Sequence, residues 1–319
     1  MSSSSSAAVT SLQLLVSQYT TQLQRYLDPS TAVALWDGLA VLPTHAEQAG
    51  FQSGPIFVSW VAVLHAIDVC VELFNNMHPE TSLMHTWVAM IVLSFGGTTM
   101  ASLLLSRVPG WIALNDPLAI YTAIYLLFRY TPVLSLANLI GTPLRVACAA
   151  ADGIARALAI TAFAIDTIHL KSAPPLSNSL VACLVCGTLS GCGGGILNAV
   201  FGVTKRTWTL GTPQVSVDVQ LAAVIAAGYT FAVKYDVVDR PTAQGVACMV
   251  AAAVLVLQVL VRDVRRWCSR ASSGGKKAAR KPSDKPLPPS PVVKLAGNES
   301  PVPSPGPTPR KSAVSKRRN

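Results

Sequence analysis

The sequence predicts an all-α polytopic membrane protein with seven transmembrane helices, arranged as two inverted three-helix repeats followed by a seventh helix. Two observations predict this fold. Of the 319 residues, 51% are hydrophobic and only 13% are charged, and the mean hydropathy is +0.45, values typical of a chain whose solvent is the bilayer. Two similar glycine clusters also lie three apolar runs apart, which indicates an internal repeat.

Seven apolar runs are long enough to be membrane spans, because a spanning helix needs about 20 mostly apolar residues. Pro, Gly or charged residues bound the runs, and Pro132 is expected to kink or end the helix of the third. In chain order the runs are 57–74, 86–105, 117–139, 143–168, 180–203, 217–235 and 242–261.

The runs divide the chain into three parts. Residues 1–50 form a polar and amphipathic N-terminal segment, and residues 51–262 form the seven-helix transmembrane domain. Residues 263–319 form a basic, Pro-rich tail that is expected to be disordered, because such a composition cannot bury a core.

Charge asymmetry predicts the orientation in the membrane. Residues 262–319 contain 15 basic and 3 acidic residues, whereas the rest of the chain contains 10 and 12. The positive-inside rule places this tail in the cytosol, and an odd number of spans then places the N-terminus on the luminal side. The tail either sets topology only or also attracts anionic lipid. We expect no nucleic-acid partner, because no aromatic interleaving or recognition motif accompanies the charge.

Glycine clusters lie in the middle of the second and fifth runs. An odd number of spans per unit forces two repeats into opposite orientations across the bilayer. The glycines either let neighbouring helices pack closely or interrupt two helices at equivalent depth, where unwound backbone faces a permeant ion. We favour the second interpretation. It makes pore or hinge residues of Gly96, Gly97, Ser190, Gly191, Gly193, Gly194 and Gly195.

The fourth run carries three charged residues, which are costly inside a membrane and usually face the bundle interior or water. Arg145, Asp152 and Arg156 fall within roughly 40° of one helical face, and Asp152 can pair with Arg156 across one turn. The set is either a self-compensating pair with Arg145 snorkelling to the interface, or a gating or lipid-headgroup site.

The first run carries a second polar stripe, formed by His65, Asp68 and Glu72. Its two carboxylates either attract a cation or are hydrated at the interface. A metal site is not expected, because the other histidines are scattered along the chain. No Ser-His-Asp set, phosphate loop or metalloprotease motif is visible, so the sequence predicts neither an enzyme nor a cofactor.

Over residues 55 to 262 the sequence resembles the trimeric intracellular cation channels of the endoplasmic and sarcoplasmic reticulum. The shared elements occur in the family's order and spacing. They are Ser94-Phe95-Gly96-Gly97, Leu103-Leu104-Leu105, Pro109, Pro143-Leu144-Arg145, Arg156, and Gly187, Gly191 and Gly193.

The resemblance implies a homotrimer whose subunits each contain a pore, with the second and fifth helices kinked at glycines. It also implies conduction of K⁺ and other monovalent cations as counter-current during Ca²⁺ release and uptake. In animal members, a Lys-Glu-Val stretch in the fourth helix contributes to binding a phosphoinositide. Here Asp152-Gly153-Ile154 replaces that stretch and Ser190 replaces a lysine of the fifth helix, whereas Arg156 retains the downstream basic position.

The function predicted from the sequence is therefore a monovalent cation channel of an endoplasmic-reticulum-type membrane, with the pore between the second and fifth spans. A phosphoinositide or another anionic lipid is the one ligand that the resemblance suggests besides the permeant ions. Two alternatives remain open. One is a secondary transporter, which also uses inverted repeats and broken helices, and the other is a non-conducting lipid-binding scaffold anchored by the tail.

Overall fold

The computed structural model describes residues 29–53, 56–78, 80–205, 210–211 and 216–278. Almost every element in these ranges is helical. In chain order the helices are α1 Pro29–Gln48, α2 Trp60–Asn76, α3 Leu83–Leu104, α4 Gly110–Ala113, α5 Asn115–Tyr130, α6 Val133–Ile140, α7 Thr142–Leu158, α8 Asp166–Lys171, α9 Leu180–Phe201, α10 Val217–Lys234 and α11 Arg240–Ala278.

Three shorter elements complete the description. Strands β1 (Gly50–Ser53) and β2 (Ile56–Ser59) pair antiparallel as a hairpin immediately before α2. A π-helical segment, Ala159–Ile165, joins α7 to α8, so that Thr142–Lys171 forms one composite helix. A 3₁₀ turn spans Leu176–Asn178.

Five described helices are long and apolar enough to cross a bilayer: Leu83–Leu104, Thr142–Lys171, Leu180–Phe201, Val217–Lys234 and Arg240–Ser269. Helices α5 and α6 add a sixth if they are one broken span, because they bend by 94° around the break at Pro132. The predicted interruption at this proline is confirmed. Helix α2 has only 17 residues, so the described helices that meet these criteria number five or six rather than the predicted seven.

Two predicted span borders were wrong. The first predicted span began at residue 57, but Ile56–Ser59 is a strand and α2 begins at Trp60. The seventh was expected to end at Val261, and the disordered tail to begin at 263. Helix α11 instead continues to Ala278, so residues 263–278 are helical. The rest of that tail, 279–319, and residues 1–28 of the N-terminal segment lie outside the described residues.

Serine side chains cap the starts of three spanning helices. The hydroxyl oxygens of Ser82, Ser179 and Ser216 accept hydrogen bonds from backbone N–H groups in the first turns of α3, α9 and α10. Such caps satisfy donors that a helix start leaves free. Gly202, in the left-handed conformation, ends α9.

The helices of the two halves of the chain meet in antiparallel pairs. Near one end, Nε2 of His85 on α3 lies 3.0 Å from the carbonyl oxygen of Val203, just after α9. Near mid-length, Gly97 of α3 meets Gly193 of α9. Since the contact partner of α3 moves backwards along α9, the two helices are antiparallel. The first helices of the halves, α2 and the composite helix, also pack together.

The apolar core has two parts that follow the same division. One contains buried residues of α2, α3 and α5, including Cys70, Met90 and Tyr125. The other is formed mainly by the composite helix, α9, α10 and α11, and includes Ile165 and Cys248. The core is therefore largely divided between the two halves of the chain, with α11 in the second, although Ala101 of α3 and Val203 after α9 each belong to the other half's part.

Candidate functional site

A buried carboxylate, Asp152, lies at the centre of a polar cluster between α2 and the composite helix. Nε of Arg156 donates to its two oxygens at 2.8 and 2.9 Å, and Nη2 lies 2.8 Å from Oδ2. The pairing that the sequence predicted across one helical turn is therefore present. From the facing helix, Nδ1 of His65 lies 3.0 Å from Oδ1 of Asp152. Helices from both halves of the chain thus meet at one carboxylate.

The cluster becomes more exposed towards one end of the bundle. Oδ2 of Asp218, at the start of α10, lies 3.8 Å from Nη1 of Arg156. The Asp218 side chain is 42% exposed, that of Arg156 31% and that of Asp152 only 6%. The cluster therefore has a mouth at Asp218 and a base at Asp152.

Carboxylates outnumber guanidinium groups in this cluster. Asp68, one turn from His65 on α2, interacts electrostatically with Asp152 and Arg156. Three carboxylates, those of Asp68, Asp152 and Asp218, therefore lie around the one guanidinium of Arg156. In the part of the chain that the structure describes, no three His, Cys, Asp or Glu residues are placed to hold a metal ion. The polar cluster is defined here as His65, Asp68, Asp152, Arg156 and Asp218.

Arg145 does not join this cluster, although it was predicted to act with Asp152 and Arg156 on one face. Its Nη2 lies 3.0 Å from Oδ2 of Asp263 on α11, and that oxygen also accepts a hydrogen bond from the Thr142 hydroxyl at 2.7 Å. Helix α11 offers a carboxylate at this level, so Arg145 pairs away from α2. The sequence could not show this partner, which lies 118 residues further along the chain.

The two glycine clusters pack against each other. A Cβ added to Gly193 would lie 2.6 Å from Cα of Gly97, and one added to Gly97 would lie 2.5 Å from the carbonyl oxygen of Ser190. A Cβ at Gly194 would collide with the Leu93 carbonyl, and Gly96 also contacts Gly194. The backbones of α3 and α9 therefore touch, as in small-residue interfaces of membrane helices.

This packing corrects the prediction that both helices are interrupted at their glycines. Helices α3 and α9 run through the two clusters without a break, because the glycines serve close approach and not unwinding. The predicted path between the two helices is closed at this level. The remaining glycines differ: Gly191 packs against Ile160 and Ala222, whereas Gly195 has no atom within 4 Å of an added Cβ.

Ser190 contacts the π-helical segment of the composite helix. Its buried hydroxyl donates to the carbonyl oxygen of Ala159 at 2.8 Å. Within the same segment, Oγ1 of Thr161 accepts a hydrogen bond from Nε2 of Gln244 on α11 at 3.1 Å. Side chains of α9 and α11 thus satisfy polar atoms where the helix departs from α geometry.

A second ionic group lies at the end of the composite helix opposite Arg145. Asp166 pairs with Nη1 of Arg240 at 2.6 Å and accepts a hydrogen bond from the Tyr229 hydroxyl at 2.8 Å. Together with Arg145 and Asp263, these contacts hold α11 antiparallel to the composite helix at both ends.

Sequence reasoning missed Asp166, Arg240, Asp218 and Asp263 as partners. One signal could have found two of the pairs. Arg145 and Asp166 flank an apolar stretch in the order basic then acidic, and Arg240 and Asp263 flank another of similar length in the same order. Two antiparallel helices with these charges would bring each basic residue beside an acidic one.

Comparisons with known proteins agree with the fold. Residues 71–262, more than half of the chain, match the family model described as TRIC channel. The structure is similar to that of a trimeric intracellular cation channel from C. elegans with bound Ca²⁺, at 15% identity and a TM-score of 0.55 over 70% of this chain and 97% of that one. The structure of a trimeric intracellular cation channel from C. elegans in the absence of Ca²⁺ gives 14% identity and a TM-score of 0.54, over 71% of this chain and 96% of that one. No curated protein matches the sequence.

These comparisons concern a family of cation channels rather than a class of enzymes. The structural likeness extends over nearly the whole length of both C. elegans chains. The long apolar helices of the described residues and the family match together make this chain a multi-pass membrane protein. The chain belongs to the TRIC channel family.

Proposed function

We propose that the protein is a monovalent cation channel that conducts K⁺ across an intracellular membrane of the endoplasmic reticulum type and supplies counter-ion current for Ca²⁺ release and uptake. The observation that carries the proposal is the polar cluster, an excess of carboxylates inside an apolar bundle. Ionisable groups at such a position are costly and typically mark an ion pathway. Family membership supports cation conduction, and K⁺ preference and the compartment rest on the resemblance.

The arrangement corresponds to a closed path. The guanidinium of Arg156 occupies both oxygens of Asp152, so it stands where a permeant cation would be attracted. A cation passes the base of the cluster only when Arg156 leaves that carboxylate. A voltage, lipid or ligand signal that moves the arginine would therefore open the path. The path runs along the seam between α2 and the composite helix.

The proposal includes seven spans in two inverted three-helix repeats, in which α2 is a short first span and α5 with α6 a broken third. Three features support it: the antiparallel pairing of α3 with α9, the packing of α2 on the composite helix, and the largely separate cores of the two halves. Assembly as a homotrimer is supported by the description of the C. elegans channel as trimeric.

The proposed orientation places the mouth at Asp218 and the C-terminal tail in the cytosol, and the N-terminus in the lumen. Charge supports this orientation. At the end of the bundle that contains Asp218, basic residues outnumber acidic ones by six to four. The basic residues are Arg129, Arg145, Lys205, Arg262, Arg265 and Arg266, and the acidic ones are Glu72, Glu80, Asp218 and Asp263. At the opposite end, basic and acidic residues balance: Arg107, Lys171, Lys234 and Arg240 against Asp116, Asp166, Asp236 and Asp239. The positive-inside rule assigns the basic end to the cytosol.

Binding of a phosphoinositide or another anionic lipid at this basic end is part of the proposal. The Arg145 side chain is 40% exposed and close to the membrane surface, where each basic residue attracts anionic lipid by about 1 kcal/mol. Arg156 is already paired with Asp152, which reduces its availability to a headgroup. Arg145 is therefore the better candidate of the two.

Recording from purified protein in a planar bilayer, with opposed K⁺ and Na⁺ gradients, tests the proposal. A channel gives unitary current steps that vary linearly with voltage, and its reversal potential reports the preference between the ions. The rival interpretation, a secondary transporter, gives substrate-coupled flux without such steps. Absence of unitary steps in every lipid mixture and at every voltage contradicts the channel.

A further inference from the structure

Helix α1 lies at the end of the α2–composite-helix seam that is opposite the mouth at Asp218. The Asn138 side chain, just before the composite helix, donates to Oδ1 of Asn75 at the end of α2, so the two helices are antiparallel. Since His65 faces Asp152, the seam continues from His65 towards the start of α2 and from Asp152 towards the π-helical segment. Helix α1 packs on both of these helices and on β2. It therefore contacts both walls of the seam beyond the base of the polar cluster.

A glycine notch receives α1. An added Cβ on Gly245 of α11 would collide with the carbonyl oxygen of Leu39 and lie 3.2 Å from its Cα. The backbone of α1 therefore rests directly on α11 at a position where no larger residue fits. Gly245 lies beside Gln244, which binds Thr161 of the π-helical segment, so the notch is at that level of the composite helix.

The face of α1 that points into the bundle is apolar. Pro43 and Ala46 are buried, and Leu42 packs against the core of the second half. On the outward face, Leu35 and Val41 are 53% and 41% exposed. An apolar helix face across the end of a polar seam excludes water and ions from it.

The β-hairpin ties α1 to the bundle. Trp60 N–H donates to the carbonyl of Ala49 at 2.9 Å, and the Phe57 N–H donates to Oδ2 of Asp116 at 3.3 Å. Helix α1 can therefore leave the notch and still remain attached beside it.

From these contacts we infer that α1 is a built-in stopper that closes the luminal end of the seam, so that conduction requires both the release of Arg156 and the displacement of α1. The inference rests on the proposed channel function and adds a second, luminal closure to it. It assigns a role to a segment that lies outside the matched range 71–262.

Single-channel recording of three variants tests the stopper. Gly245→Ala puts a methyl group into the Leu39 backbone, and Leu42→Ala removes an anchoring side chain from α1. Both should raise the ratio of open to closed time roughly tenfold and leave unitary conductance unchanged. Overpacking at Gly245 and truncation at Leu42 each weaken the contact between α1 and the bundle, and a loss of about 1.4 kcal/mol in that contact corresponds to a tenfold change. The control is Gly228→Ala, whose added Cβ meets no atom within 4 Å; it should behave as wild type.

The outcomes separate the stopper from the channel itself. If the wild-type protein opens, and Gly245→Ala and Leu42→Ala both have the wild-type open probability or a lower one, the stopper is overturned and the channel function stands. An unstructured leak without unitary steps in both variants overturns it as well, because a released stopper preserves unitary conductance. Silence of wild type and all variants overturns the proposed channel function and the stopper with it. If the double variant Gly245→Ala/Leu42→Ala has the same open probability as the more open of the two single variants, both substitutions act through the same displacement of α1, which supports the stopper.

Discussion

The glycine interface between α3 and α9 gives a sharp prediction about stability. In the variant Gly193→Ala the new methyl group would stand 2.6 Å from Cα of Gly97, about 1 Å closer than ordinary contact between carbon atoms at roughly 3.5–4.0 Å. The obstructing atom belongs to the backbone and cannot rotate away, so the two helices must separate. Overpacking of this kind costs about 1–3 kcal/mol.

The matched control is two residues away in the same helix. Gly195→Ala adds the same methyl group where no atom lies within 4 Å, so it should gain the roughly 0.5–1 kcal/mol by which alanine exceeds glycine in a helix. Gly193→Ala receives the same gain, which leaves a net loss of roughly 0–2.5 kcal/mol.

Thermal unfolding of the purified protein in detergent measures this difference. With about 2–4 °C per kcal/mol for a chain of this size, Gly193→Ala should lower the Tm by several degrees. Gly195→Ala should leave the Tm unchanged or raise it slightly. Equal Tm shifts for the two variants would refute the account, because a general need for glycine in α9, such as hinge bending, affects both positions alike.

Three further variants test other contacts, each against a control. Asp218→Asn should reduce the current of K⁺ entering from the Asp218 side by roughly 1.5- to 5-fold at low salt and by less at high salt, because the mouth loses a negative charge. Glu80→Gln, at the same end, should leave that current unchanged. Equal currents in the two variants would argue against a mouth at Asp218. Asp166→Asn weakens the contacts with Arg240 and Tyr229 and should lower the free energy of unfolding by about 1–2 kcal/mol, measured by thermal unfolding. The control Asp236→Asn, at an exposed residue, should leave it unchanged. An unshifted Tm for Asp166→Asn would show that the Asp166 contacts do not hold α11. Ser190→Ala removes the hydrogen-bond donor to the Ala159 carbonyl and should lower the free energy of unfolding by about 1 kcal/mol in the same measurement. Ser94→Ala should not destabilise, because the buried Ser94 hydroxyl has no hydrogen-bond partner among the described residues. A larger loss for Ser94→Ala than for Ser190→Ala would contradict a stabilising role of the Ser190 hydrogen bond.

Apolar runs and prolines predicted most helix positions, because length and hydropathy are local properties of the chain. Helix α10 ends within one residue of its predicted border, and the bend at Pro132 is present. The strand Ile56–Ser59 was not predicted, because a short apolar segment ahead of a helix suits either conformation.

The site was predicted less completely, because its contacts join distant parts of the chain. The Asp152–Arg156 pair follows from i,i+4 spacing, but the partner of Arg145 depends on which helix packs beside it. The glycine clusters show the same limit. A glycine-rich run suits both a break and a close contact, and only the opposing glycines of the partner helix decide for contact.

The central claim is that Arg156, held by Asp152, closes a cation path, and single-channel recording of Arg156→Gln tests it most directly. Lys171→Gln is the control, since it removes an exposed positive charge from the far end of the same composite helix, outside the polar cluster. The account predicts that Arg156→Gln raises open probability and changes its voltage dependence, while Lys171→Gln does neither. Unchanged open probability and voltage dependence in Arg156→Gln would contradict it.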